Sequence, residues 1–85
     1  MNHKHSHYYK KVPGKYIDVY RVLDLFEVTD PCIQHAVKKL LVAGKRGVKG
    51  LDKDVQEAID SLTRWQEMRT EEENDDIEAA VFIEY

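Results

Sequence analysis

Residues 30–50, DPCIQHAVKKLLVAGKRGVKG, constrain the fold more than any other stretch, because they encode a helix with both ends marked. Asp30 is a helix cap: its carboxylate accepts from free first-turn N–H groups. Pro31, at the next position, has no N–H to leave unpaired. Ile33, Ala36, Val37, Leu40 and Leu41 recur at i, i+3, i+4, i+7 and i+8, the spacing of one helix face. Gly44 can take the left-handed conformation that ends a helix. The opposite face carries Gln34, His35, Lys38 and Lys39, and KRGVKG follows with two more glycines and three cations. The helix is expected to set its apolar face on a core and to turn its basic face and the following loop toward something anionic.

Two further helices fit around it. Tyr16, Val19, Tyr20, Leu23 and Phe26 form a stripe widened by Ile17, Val22 and Leu25, which predicts a helix over Tyr16–Phe26. Asp18 near its start suits the helix dipole, either as a helix-start residue or as a functional one. Leu51, Val55, Ala58, Ile59, Leu62 and Trp65 hold the same period and predict a third helix from about Asp52, its N-cap, to about Glu73. Joined by a short loop, the second and third helices should lie antiparallel. Residues 1–15, with the Pro13-Gly14 turn signal, read as a polar arm. Asn74-Asp75-Asp76 breaks the pattern, and IEAAVFIEY after it fits a helical turn or a strand. The expected fold is all-α: a three-helix domain over residues 16–73, a flexible N-terminal arm (1–15) and an acidic-then-apolar C-terminal tail (74–85).

A chain of 85 residues buries a thin core, so a homo-oligomer is expected, built on the very apolar first helix or on the apolar tail. A single cysteine, Cys32, excludes an intramolecular disulfide. No apolar run reaches membrane-spanning length, and no signal-peptide core is present. The expected location is therefore the cytoplasm, without a membrane partner. The net charge of −3 hides an asymmetry. Between Gln34 and Lys53 six cations face Asp52 alone, a balance of +5, whereas from Glu67 to Tyr85 eight acids face Arg69, a balance of −7. The pattern suggests an anion-binding body with an acidic tail, and the tail and the net negative charge weigh against nucleic acid.

The candidate anion site comprises Lys38, Lys45, Arg46 and Lys49 around Gly44, with His35 at its edge. Arg offers a planar fork, Lys a point charge, and Gly a close backbone approach to phosphate. Cations at a helix C-terminus also answer the helix dipole, and His35 could equally be a structural histidine. Tyr8 can pack on the domain or stack on a base. His3, His5 and His7 alternate as metal ligands would, but no Cys or acidic ligand accompanies them, and a solvated terminus is the plainer reading. The run Glu71–Glu73 with Asp75 and Asp76 reads as solvated charge and not as a metal site. AGKRGVKG lacks the order of a nucleotide-binding P-loop and follows a helix. No Ser-His-Asp set or HExxH motif is apparent.

Taken in order, His7-Tyr8, Ile17-Asp18-Val19, the group Ala36, Lys38, Ala43, Gly44 and Lys45, and then Asp54, Ala58, Ile59 and Leu62 with Arg64 form a pattern over residues 7–68. In it the chain resembles a domain family of small bacteriophage proteins commonly called phage nucleotide kinase, after a kinase of T-odd phages. The resemblance implies a phage or prophage origin in the host cytosol and a nucleotide or related phosphorylated small molecule as ligand. It adds Tyr8 and Asp54 to the candidate ligand-binding residues. The chain departs from the pattern at Gln34-His35, where the family often has Gly-Asn, and at Val42, where it often has Arg. The expectation is therefore a non-catalytic binder, sequestering a ligand in an anti-defence role, with no resident cofactor and catalytic residues unassigned. The alternatives are a nucleoside monophosphate kinase, which would need Mg²⁺ with ATP, and an inhibitor docking on a host protein or nucleic acid.

Overall fold

A computed structural model describes residues 5–45 and 50–83, with side chains described as far as residue 76. Among the described residues a 3-10 turn, Ser6–Tyr8, precedes three helices: α1 (Val19–Leu25), α2 (Pro31–Leu41) and α3 (Leu51–Ile83). The described residues contain no strand, and the all-α expectation holds.

Each helix end has an identifiable cause. The helix expected over Tyr16–Phe26 is shorter, because Asp18 caps it: its Oδ1 accepts from the Arg21 N–H at 2.9 Å, leaving Tyr16 and Ile17 outside. At the other end Glu27 takes φ 54°, and the Val28 N–H reaches the Leu23 carbonyl at 2.9 Å while the Glu27 N–H reaches Asp24 at 3.1 Å. This pair of bonds closes the helix in a Schellman motif, at an unusual non-glycine position. α2 starts as the sequence predicts, Asp30 Oδ1 accepting from Cys32 N–H at 2.9 Å and Ile33 N–H at 3.1 Å. It ends before Gly44, which has φ 75°. Asp52 is not the cap of α3. The helix already includes Leu51, and the Gly50 carbonyl accepts its first bond from Asp54 N–H at 3.2 Å.

α3 also runs past the expected stop at Asn74-Asp75-Asp76, and its backbone is helical to Ile83. Asn and Asp are poor helix formers, but each costs only a few tenths of a kcal/mol. Neither Gly nor Pro interrupts the run, and Glu and Ala flank it, so an established helix propagates through. The tail is therefore a continuation of α3 as far as Ile83, neither a separate segment nor a strand.

α2 and α3 pair antiparallel, as the registers show. Gly44 meets Asp54, Lys39 meets Glu57, and His35 meets Ser61. Past Arg64, α3 outruns the start of α2. α1 touches α2 lightly, and among the described residues α1 and α3 make no contact. The helices thus stand in a row with α2 in the middle. The radius of gyration, 18.4 Å, exceeds the roughly 12 Å of a compact chain this long.

The core is correspondingly thin. Among the described residues Leu23, Ala36 and Ala58 are its buried apolar members, together with buried Lys39 and Asp54. Here the expected faces of α2 are corrected. Of its apolar stripe Ala36 is buried, but Leu40 and Leu41 are exposed. Lys39, expected on the basic face, is buried and paired with Glu57 at 2.5 Å. The reason is steric: two helices approach closely where their facing residues are small, and buried Ala36 on α2 and Ala58 on α3 provide that. Turning Ala36 to the interface brings Lys39, one turn on, with it. The α1 stripe is likewise mostly outside, with Tyr16, Tyr20 and Phe26 exposed and Leu23 buried. No helix is long and apolar enough to cross a membrane among the described residues.

Candidate ligand site

The angle between α1 and the start of α2 leaves an open cleft of about 690 Å³. It is held in shape by backbone and side chain together. The Glu27 turn reverses the chain, and Gln34 Nε2 donates to the Val28 carbonyl at 2.7 Å, tying α2 to that turn. One wall is the Tyr20 ring with Lys38 Nζ 5.3 Å from its centroid, a cation–π pair. His35 stands beside Lys38, three residues and about one turn earlier on α2. Asp24 and Glu27 supply carboxylates at the rim. Asp24 is shared with Arg21, whose Nη1 lies 3.0 Å from its Oδ2. The cleft thus presents an aromatic platform, a cation, an imidazole and two acceptors within one small space.

His35 also faces a second groove, between α2 and α3, lined by Cys32, Asp60, Ser61 and Arg64. Its Nδ1 lies 2.5 Å from Ser61 Oγ, and that hydroxyl donates its one proton to the Glu57 carbonyl at 3.1 Å. Arg64 at the end of this groove is bound by Glu71 at 2.9 Å and Glu67 at 3.6 Å. The hydrogen bond and charge of Glu71, then those of Glu67, hold its guanidinium above the ordinary arginine pKa.

The seven residues nominated by sequence fall in different places. His35 and Lys38 come together on the α1–α2 cleft. Arg46 and Lys49 lie outside the described residues. Lys45 is exposed beyond the C-terminus of α2, its N–H bonded to the Val42 carbonyl at 3.1 Å. Asp54 is 1 % exposed and belongs to the α2–α3 junction: its Oδ2 accepts from the Gly44 N–H at 2.8 Å. Oδ1 of the same carboxylate is buried with no hydrogen-bond partner among the described residues. Tyr8 is exposed in the arm, its ring against His7 at 4.1 Å between centroids and His5 at 5.9 Å. His3 lies outside the described residues.

Sequence reasoning missed Tyr20, Asp24, Glu27 and Ser61 as neighbours of the site. Tyr20 was assigned to the apolar stripe of α1, and nothing local signals that its ring faces Lys38. Lys39, one of the six cations tallied, is withdrawn into the ion pair with Glu57. Comparison with models of protein families, with curated proteins and with solved structures finds no match to this chain.

Proposed function

We propose that the protein is a non-catalytic binder of a nucleotide or a related phosphorylated small molecule, with the α1–α2 cleft as its site. The observation that carries this reading is the Tyr20–Lys38 pair with His35 beside it. A planar ring can stack on a base, worth roughly 1–3 kcal/mol, and a cation held 5.3 Å above that ring is within reach of a phosphate attached to the same ligand. Asp24 and Glu27 can accept from exocyclic amino groups of the base, so the mixed charge of the cleft suits a ligand with both a base and a phosphate. Lys45 adds positive potential beyond the C-terminus of α2. The resemblance of residues 7–68 to the phage family supports the same ligand class and the role of an accessory protein of a phage or prophage.

Calorimetry with nucleoside mono-, di- and triphosphates tests the proposal. Tyr20→Ala and Lys38→Glu should each weaken binding by about tenfold or more while leaving the far-UV circular dichroism unchanged. Unaltered affinity in both variants refutes the assignment of the cleft, and no binding of any nucleotide refutes the function. Incubating the protein with ATP, Mg²⁺ and deoxynucleoside monophosphates separates binder from kinase, since turnover would restore phosphoryl transfer as the function.

A further inference from the structure

α2 has three faces, and one of them has no partner among the described residues. Ala36 and Lys39 look at α3, while Gln34 and Lys38 look at the α1 side. Ile33, Val37, Leu40 and Leu41 make the third face, and Leu40 and Leu41 are each about half exposed (53 % and 51 %). α3 contributes an adjoining stripe of Val55, Ile59 and Leu62 at i, i+4 and i+7, with Leu51 before it. The two stripes meet in a groove of about 430 Å³ whose walls include Ile33, Ile59, Leu62 and Trp65. No charged residue falls on the α2 stripe between Ile33 and Leu41, and on the α3 stripe the charge is Asp52, at its N-terminal end seven residues before Ile59.

We infer that this α2–α3 face is the interface with a second copy of the chain, two antiparallel helix pairs closing on each other as a four-helix bundle. Three observations select that occupant. First, the chain exposes 7412 Å², against roughly 5,200 Å² for a compact monomer of 10.0 kDa. The excess of about 2,200 Å² per chain includes the arm and the far half of α3, and it is large enough to supply the surface that each partner of an obligate dimer buries. Second, a two-fold interface sets a patch against itself, which a predominantly apolar stripe tolerates and a patch of one charge sign does not. Third, the chain has no described segment of its own to cover the face. The arm lies along α1, with Lys10 Nζ 5.7 Å from the Phe26 ring centroid and Pro13 and Gly14 beside Ile17. α3 continues as helix to Ile83. The interface so placed differs from the one expected from sequence, which was α1 or the tail.

Sedimentation of the full chain from low micromolar to submillimolar concentration tests the inference. The wild type should sediment as a dimer, twice 10.0 kDa. Leu40→Glu with Ile59→Glu should give a monomer with its helical circular dichroism retained, since both side chains are half exposed within one chain. Should the double variant unfold, the single variants Leu40→Gln and Ile59→Thr decide: each should weaken the dimer by roughly tenfold or more. Tyr16→Glu, on the α1 side, should leave the dimer intact. A wild type that stays monomeric throughout overturns the inference, including the case where a different protein covers the face. A dimer that survives the Leu40 and Ile59 variants, or that Tyr16→Glu dissolves, overturns it equally.

Discussion

Glu57→Gln should destabilise this protein more than any exposed substitution, and the reason is its partner. Lys39 keeps 8 % of its side-chain surface and Glu57 25 %, with 2.5 Å between Nζ and Oε2. Removing one member of a fully buried pair leaves an uncompensated charge and costs about 3–5 kcal/mol. Because Glu57 still meets water, the expected loss here is about 2–3 kcal/mol. For a domain of this size that lowers the melting temperature by roughly 10–20 °C. Lys39→Met should cost less, about 1 kcal/mol, because the carboxylate left behind can hydrate whereas the ammonium cannot. Lys39→Met combined with Glu57→Leu replaces both charges by apolar groups of similar shape and should return to within about 1 kcal/mol of the wild type. Urea and thermal melts followed by circular dichroism, at one fixed protein concentration, on the wild type, Lys39→Met, Glu57→Leu and the double variant give the four corners of a double-mutant cycle, Glu57→Leu alone being expected to cost about as much as Glu57→Gln. The expected coupling is about 2 kcal/mol. A coupling below about 0.5 kcal/mol, with the two single changes simply adding, would mean that the pair is solvated and that the buried register of α2 on α3 is wrong.

Glu27 sits at φ 54°, so Glu27→Gly should raise stability by about 0.5–1 kcal/mol, seen as a higher urea midpoint. Asp54→Ala strands the Gly44 N–H in the α2–α3 junction and should cost about 1–3 kcal/mol; an unchanged midpoint would show that the bond is dispensable. Gly44→Ala meets both a positive φ and Leu51 Cβ 3.3 Å from the new methyl group, and should cost about 1–2 kcal/mol by the same melts. Arg64→Ala removes exposed bonds to Glu71 and Glu67 and should change stability by no more than about 0.5 kcal/mol. A large loss there would indicate that the far half of α3 is packed on something.

The sequence alone determined that this chain is helical, and why. The Asp30-Pro31 start, the glycine after α2 and three stripes of period 3.6 are local properties, set by dihedral preferences and by hydrogen bonds within a few residues. They predict α2 with its cap intact and the antiparallel pairing of α2 with α3. Where local signals erred, the error was also local in kind: Asp18 set the start of α1 later than its apolar stripe suggested, and Asn74-Asp75-Asp76 was too weak a breaker to stop a growing helix. Which way each helix faces was decided by the tertiary structure. A stripe of Ile33, Ala36, Val37, Leu40 and Leu41 says that one side of α2 is apolar, not what lies against it. Close approach of two helices favours the smallest residues, so Ala36 and Ala58 took the interface, Lys39 followed into the core, and Leu40 and Leu41 were left outside. The same rotation set Lys38 over Tyr20 and His35 on Ser61. Those contacts join residues 18 and 26 positions apart, and no pattern within a helix records them.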